Sequence, residues 1–331
     1  MRFYLQKLAF YVVALWAAVT LNFLIPRLMP GNPVDILIAK MGATGQPVTP
    51  QTRASLAIAL GQGGSTNWFV QYGEYINNLV HGDLGVSITD FPASVTTVIG
   101  QALPWTIGLI GLSTLISFVL GIGLGVLAGW RRGSWLDNLI PVTTMFQAVP
   151  YFWLALILVL LLTRLSHVFP FAGGYDVYGG LVPGFSLQFL GSILYYGFLP
   201  ALTIVLSSVG GWMLGMRNMM VSTLSEDYIL TAEAKGLKPS RVRLTYAARN
   251  AVLPSFSGFA ISLGFVVAGS IVTEEVFSYP GIGQLLWTAV SNDDYALMQG
   301  IFLVISVSVL LANLVVDLLY ALIDPRTRTR S

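Results

Sequence analysis

The chain lacks cysteine altogether and has only two histidines, His81 and His167. No disulfide framework, thiol chemistry or cysteine-based metal site is therefore available. The histidines lie far apart and fit no metal-ligand spacing, so each reads as a loop residue and no metal or other cofactor is expected. Charge is scarce too. Asp, Glu, Lys and Arg make up 10% of the 331 residues, where a soluble domain carries about 25%. No stretch matches G-x-x-x-x-G-K-[ST], which excludes a nucleotide-binding P-loop. Ionisable residues are nearly absent from the apolar runs. Such residues mark ion and proton pathways, and their scarcity disfavours a proton- or sodium-coupled carrier. An active transporter of this composition draws its energy from another subunit.

What is present is apolar. Hydrophobic residues make up 55% of the chain, more than a soluble fold of this size covers with polar surface. A helix needs roughly 20 mainly apolar residues to cross the hydrocarbon core. Six runs qualify: about Leu8–Ile25, Leu103–Trp130, Leu139–Leu162, Phe189–Met216, Leu253–Val276 and Met298–Ile323. Pro141, Pro150 and Pro200 fall in or near them, where proline kinks a helix. The first run follows Arg2 and Lys7, as a signal peptide's would. Its length, and the absence of a small-residue cleavage site at Ile25-Pro26-Arg27-Leu28, predict a retained span. The fold class is thus all-α, a polytopic membrane protein of about six transmembrane helices in a lipid bilayer.

Charge placement orients the bundle. Arg2 and Lys7, Arg131 and Arg132, the six basics of Arg217–Asn250, and Arg326, Arg328 and Arg330 fall on one side, thirteen of the seventeen Lys and Arg. The other side holds Arg27, Lys40, Arg53 and Arg164 with acids such as Asp83, Asp90, Asp293 and Asp294. The positive-inside rule places both termini in the cytoplasm.

Two outer segments should be structured. Between Pro30 and Gly100, Thr49-Pro50 reads as N-cap and first helical residue of a helix reaching Leu60. Gly61–Gly64 interrupts it, and Trp68, Phe69, Tyr72, Tyr75, Ile76 and Leu79 then recur at helical spacing. This segment is read as a cap on the bundle or as a landing surface for an extracytoplasmic partner. The Gly-, Pro- and aromatic-rich stretch Thr163–Gln188 should fold onto the pore mouth. In the second span, Gly121, Gly125 and Gly129 form a small-residue packing seam. Asn22, Gln147, Ser262 and Asn313 are the polar span residues that line a path or satisfy a neighbouring helix.

The cytoplasmic segment Arg217–Asn250 is the most informative. Thr223-Leu224-Ser225-Glu226 has capping-box spacing and predicts a short helix to Ala234. Gly236 fits a C-terminal stop. Lys238-Pro239-Ser240 opens a second helix that runs to Pro254. Two short helices with a sharp bend make a rigid knob that suits a groove on a cytoplasmic partner. Read as charge alone, the same basics serve only topology.

At this segment the chain resembles a permease of the ATP-binding-cassette importers, most closely the first permease subunit of the dipeptide/oligopeptide/nickel family. Glu226 through Leu237 is similar to that family's EAA loop, with Leu230-Thr231-Ala232 in the place of Glu-Ala-Ala. Arg249-Asn250-Ala251-Val252-Leu253-Pro254 resembles its closing motif. Leu28-Met29-Pro30-Gly31-Asn32-Pro33, His81-Gly82-Asp83-Leu84-Gly85, Arg132–Asp137, Glu275–Gly283 and Asp324-Pro325-Arg326-Thr327-Arg328 resemble family segments in the same order. The resemblance implies a type I ABC importer permease fold. It divides the chain into an N-terminal helix (1–30), an extracytoplasmic loop (31–93), a permease core (94–324) and a tail (325–331). It also implies a homologous second permease, two ATPase subunits and an extracytoplasmic substrate-binding protein as partners, and no nucleic acid. The ATPase-coupling residues would be Thr223, Leu224, Glu226, Asp227, Tyr228, Thr231, Ala232, Ala234, Lys235, Gly236 and Leu237. The implied function is a non-enzymatic half of a translocation path for peptides. The alternatives are an oligosaccharide or nickel-chelate cargo, an ATPase-independent channel or secondary carrier, and a non-transporting scaffold.

Overall fold

The computed structural model describes residues 2–28, 32–43, 49–59, 67–267 and 271–323. Among them every regular element is a helix. Helix α1 (Arg2–Leu28) is followed by α2 (Pro33–Ala43), α3 (Pro50–Ala59) and α4 (Trp68–Val80). The continuous rod α5 (Val95–Trp130) has a π-helical turn at Ile107–Gly111. Helices α6 (Trp135–Ala148) and α7 (Tyr151–Leu165) meet at an angle, and α8 (Leu187–Thr223) is a single long rod. The chain continues through α9 (Asp227–Ala234), α10 (residues 239–251), α11 (Leu253–Gly264), α12 (Ile271–Val276), α13 (Ile282–Ser291) and α14 (Tyr295–Ile323).

Four of these helices are long and apolar enough to cross a membrane: Gln6–Ile25 within α1, Val95–Trp130, Leu187–Thr223 and Tyr295–Val315 within α14. A fifth crossing is reached if α6 and α7 count as one span bent by 100°. The expected six continuous spans are therefore not reproduced among the described residues, and the runs Leu139–Leu162 and Leu253–Val276 are the two that differ. At Pro150 the missing N–H and the ring disfavour helical geometry in the preceding residue. Val149 is accordingly extended, with φ −79° and ψ 128°. The expected straight run Leu139–Leu162 thus becomes two helices. In the run Leu253–Val276, α11 ends at Gly264, and residues 268–270 lie outside the described residues.

The bundle is assembled around α5 and α8. A Cβ on Gly125 would lie 2.6 Å from the Met213 carbonyl oxygen and 2.7 Å from Met216 Cβ. One on Gly129 would lie 2.6 Å from Met220 Cβ. The seam read from the sequence thus brings two backbones into direct contact. In lipid, where no hydrophobic force separates helix from solvent, such close packing is a main source of association. Around it lie one core of Val95, Ile99, Ile282, Leu297 and Ile301, and a second of Ile110, Val159, Leu199 and Phe277.

Buried polar groups fasten the half of the bundle that holds the start of α5 and the start of α14. Asp294 is fully buried and accepts hydrogen bonds from Ser87 Oγ (2.6 Å), Thr89 N (2.8 Å) and Leu297 N (3.1 Å). It therefore caps α14 and ties it to the 87–89 loop. Glu274, also fully buried, accepts from Thr106 Oγ1 (2.9 Å) and from Gly283 N (2.6 Å) at the start of α13. Asn22 Nδ2 donates to the Gln299 carbonyl (2.6 Å), and Gln299 Nε2 returns a bond to the Asn22 carbonyl (2.8 Å). That reciprocal pair pins α1 to α14.

The outer segments take up helix as expected. Thr49 Oγ1 accepts from Thr52 N at 3.1 Å and opens α3, and Asn67 Oδ1 accepts from Phe69 N at 2.9 Å and opens α4. Leu60, the interruption Gly61–Gly64, Pro30 and Gly31, and Asp324–Arg328 lie outside the described residues. The loop after α7 lies against the N-terminal parts of α5 and α8. Tyr175 stacks on Trp105, with ring centroids 5.8 Å apart, and Gly173 N donates to the Phe277 carbonyl at 2.9 Å.

Candidate functional site: the basic knob and the central cavity

The knob begins where α8 ends. The sequence predicts a capping box with Thr223 as N-cap, and the structure corrects it. Leu224 N still donates to the Met220 carbonyl at 2.9 Å, so Thr223 is the last residue of α8. The long helix persists because Met216 and Met220 are fully buried against the glycine seam of α5. The short helix α9 then opens at Asp227, with Glu226 at the N-cap position.

Helix α9 is held from beneath. Ile229 and Ala232 are buried against Val126, Met216, Met220, Val242, Ala247 and Ala251, with Leu224 and Leu237 packed around them. Its end is fixed by backbone geometry. Gly236 N donates to the Glu233 carbonyl (2.8 Å) and Leu237 N to the Ala232 carbonyl (3.4 Å), while Gly236 sits at φ +70°. That is the paired bonding of a Schellman stop, which needs a left-handed residue where glycine carries no Cβ penalty. The expected stop is thus present at the expected residue. Helix α10 follows Lys238-Pro239 as the sequence predicts, with π geometry over Val242–Ala248.

The opposite face of α9 is open. Glu226, Asp227, Tyr228, Leu230, Thr231, Glu233, Ala234, Lys235 and Gly236 are exposed. Tyr228 is steadied by Asn250, whose Nδ2 donates to the Tyr228 hydroxyl (3.1 Å) and to the Tyr246 carbonyl (3.0 Å). The named coupling residues therefore separate into two groups. Thr223, Leu224, Ala232 and Leu237 build the knob's attachment to the bundle, and the others form its outer surface.

A clamp that the sequence reading missed holds the root of the knob. Arg217 Nε lies 3.0 Å from Asp137 Oδ1, joining α8 to the first turn of α6, and Gly133 N donates to Asp137 Oδ2 at 2.9 Å. Arg132 also donates to the Val221 carbonyl at 3.2 Å. Reading Arg132 and Arg217 only as topology charges hid this role. An unpaired acid beside them in a basic loop was the available signal.

The second feature is a partly open cavity of about 550 Å³ halfway along α5 and α8, lined from α5 (Ile110, Thr114), the α6–α7 bend (Gln147, Tyr151), α8 (Ile204, Ser207, Ser208, Gly211, Trp212) and the end of α11 (Ser262, Phe265, Val266). No charged residue is in that lining. The hydroxyls of Ser207, Ser208 and Ser262 donate to carbonyls of their own helices, which leaves their oxygens as acceptors. The Gln147 side chain abuts Gly211, with Nε2 3.1 Å from where a Cβ would stand. Of the four polar span residues singled out from the sequence, the structure brings together Gln147 and Ser262 at this cavity. Asn22 is engaged with Gln299 instead, and Asn313 lies half-buried on α14, away from the lining.

Comparison with known proteins agrees with this architecture. Residues 121–329 match the family described as binding-protein-dependent transport system inner membrane component. The chain is similar to the di/tripeptide transport system permease protein DppB of Pseudomonas aeruginosa, 33% identical over 98% of both chains. It is similar to the oligopeptide transport system permease protein AppB of Bacillus subtilis, 32% identical over 92% of both. It is also 30% identical, over 99% of both chains, to the dipeptide transport system permease protein DppB of Escherichia coli. The chain belongs to this family of multi-pass membrane permeases.

Proposed function

We propose, from that membership, that this chain is one half of the translocation path of an ATP-driven importer, taking peptides from an extracytoplasmic binding protein. The observation that carries the coupling role is the knob. A short helix with an open face is fixed rigidly to the two longest rods of the bundle. A partner pulling on α9 would move α5 and α8 through the Ile229 and Ala232 contacts. The chain has no P-loop, so in this reading the ATPase activity belongs to two cytoplasmic subunits that dock on the knobs of this chain and of a homologous second permease. Peptide as cargo is supported by the names of the relatives. Nothing in the cavity has a charge arrangement that would select among peptide, oligosaccharide and nickel chelate.

The cavity extends the reading. Its position halfway along α5 and α8 and its uncharged, mainly apolar lining with a few polar groups suit a path, and Gln147 and Ser262 are the residues assigned to it. The charge pattern supports both termini on the cytoplasmic side. The division into an N-terminal helix (1–30), outer segment (31–93), core (94–324) and tail (325–331) is part of the same proposal.

Gly236 tests it. A residue with a Cβ forced into the left-handed region costs about 1–2 kcal/mol, whereas asparagine tolerates it better. Because a Cβ there meets nothing within 4 Å, the strain falls on the backbone alone. Gly236→Val should insert normally in the membrane yet lose ATPase co-purification and ATP-dependent uptake, and Gly236→Asn should retain most of both. Full association and uptake in the valine variant would refute the coupling role.

A further inference from the structure

Helix α4 presents an apolar flank whose ends, Phe69 and Val80, are exposed and whose middle, Ile76, is half-buried. Phe69, Gly73, Ile76 and Val80 follow one another at intervals of four, three and four residues, which places them along one side of the helix. Phe69 is 88% exposed and Val80 78% exposed. Glu74 and Asn78, also exposed, lie on the side away from this flank, about 140° and 180° round the helix from Phe69, and Asn77 borders it. A third side packs on α1. The Tyr72 hydroxyl shares a 2.7 Å hydrogen bond with Thr20 Oγ1, and Phe23 meets the rings of Tyr72 and Tyr75 at 5.0 and 5.5 Å.

The depth of that contact decides what covers the flank. The apolar span of α1 is Gln6–Ile25. Thr20 lies five residues inside its end, about 7.5 Å at the helical rise, and Phe23 about 3 Å inside. A helix packed on these two residues lies at the margin of the hydrocarbon layer, not above it. The neighbouring surface of α1, Leu21, Ile25 and Leu28, is also exposed, so apolar surface continues from one helix to the other. An amphipathic helix with an apolar flank at that level is stabilised by burying the flank among acyl chains and leaving its polar side in the headgroups.

We infer that α4 is an interfacial helix seated in the leaflet at the Leu28 end of α1, with Phe69 and Val80 in lipid, Ile76 at the boundary between lipid and protein, and Glu74 and Asn78 toward water. Under the proposed orientation this is the outer leaflet, but burial in lipid does not depend on that orientation. The seat would fix the tilt of α1 and hold the outer segment against the membrane.

The absence of cysteine makes the test direct. Single cysteines replace Phe69, Val80 or Asn78 in the full-length chain and carry the NBD fluorophore, in nanodiscs of phosphatidylcholine and phosphatidylglycerol. All three positions are exposed, and each labelled variant is first required to elute as the unmodified chain does. At 69 and 80 the emission should be blue-shifted, lost to nitroxide-labelled lipid and insensitive to iodide, with the converse at 78. Iodide quenching at 69 and 80 equal to that at 78 would overturn the inference in favour of a water-facing flank. Protection from both quenchers would overturn it in favour of another polypeptide on that surface.

Discussion

At the scale of single residues, a few buried groups carry more than their share. Asp294 accepts three hydrogen bonds while fully buried. Removing the carboxylate leaves Ser87, Thr89 and Leu297 donors without an acceptor, and each such loss costs about 1–3 kcal/mol. Asp294→Ala should therefore lower the temperature of half-aggregation in detergent markedly, with Asp294→Asn between it and the parent, since an amide keeps one acceptor oxygen. Gly125 is the opposite case, a residue whose value lies in what it omits. A Cβ there would press on the Met213 carbonyl and Met216 Cβ, and overpacking of this kind costs about 1–3 kcal/mol. Gly125→Ala should lower the same temperature, whereas Gly123→Ala, whose Cβ would meet nothing within 4 Å, should not.

At the scale of elements, the bend between α6 and α7 decides the shape of the cavity, because Gln147 and Tyr151 flank it. A straight helix would place Trp135 and Leu165 about 45 Å apart. The 100° bend brings them much closer. Both side chains are exposed, so spin labels on cysteines at 135 and 165 report the bend by electron–electron distance measurement. The parent should give a distance far below the straight-helix value. Pro150→Ala restores an N–H and removes the ring, and its distribution should shift to longer distances. An unchanged distribution would mean that packing against α8, rather than proline, sets the angle.

At the scale of the whole molecule, the testable quantity is sidedness. Tyr178 is fully exposed on the loop after α7, and Lys238 is exposed on the knob. With both termini cytoplasmic, a membrane-impermeant maleimide added to intact cells should label Tyr178→Cys and leave Lys238→Cys untouched until the cells are lysed. Labelling of both in intact cells, or the reverse order, contradicts the orientation drawn from the loop charges.

Much of this protein was legible in one dimension. Apolar runs announce lipid contact because lipid is the only solvent that such runs leave free, and basic loops announce a side because charge resists transfer. The glycine stop at 236 and the threonine cap at 49 were readable because each depends on the backbone of a few adjacent residues. Other features needed the third dimension. Thr223 looked like a cap, but its conformation is set by Met216 and Met220 against α5, contacts that no local spacing reveals. Asn22 and Gln147 are both polar span residues, and only packing shows one bonded to Gln299 and the other facing a cavity. The same holds for Arg217, which the sequence marks as a cytoplasmic charge and the fold pairs with Asp137, eighty positions earlier. The lipid environment, the local helix signals and the charge asymmetry follow from composition and neighbouring residues, so one dimension suffices for them. Which polar groups are partnered and where the rods bend depend on atoms brought together from distant parts of the chain, so only the folded molecule sets them.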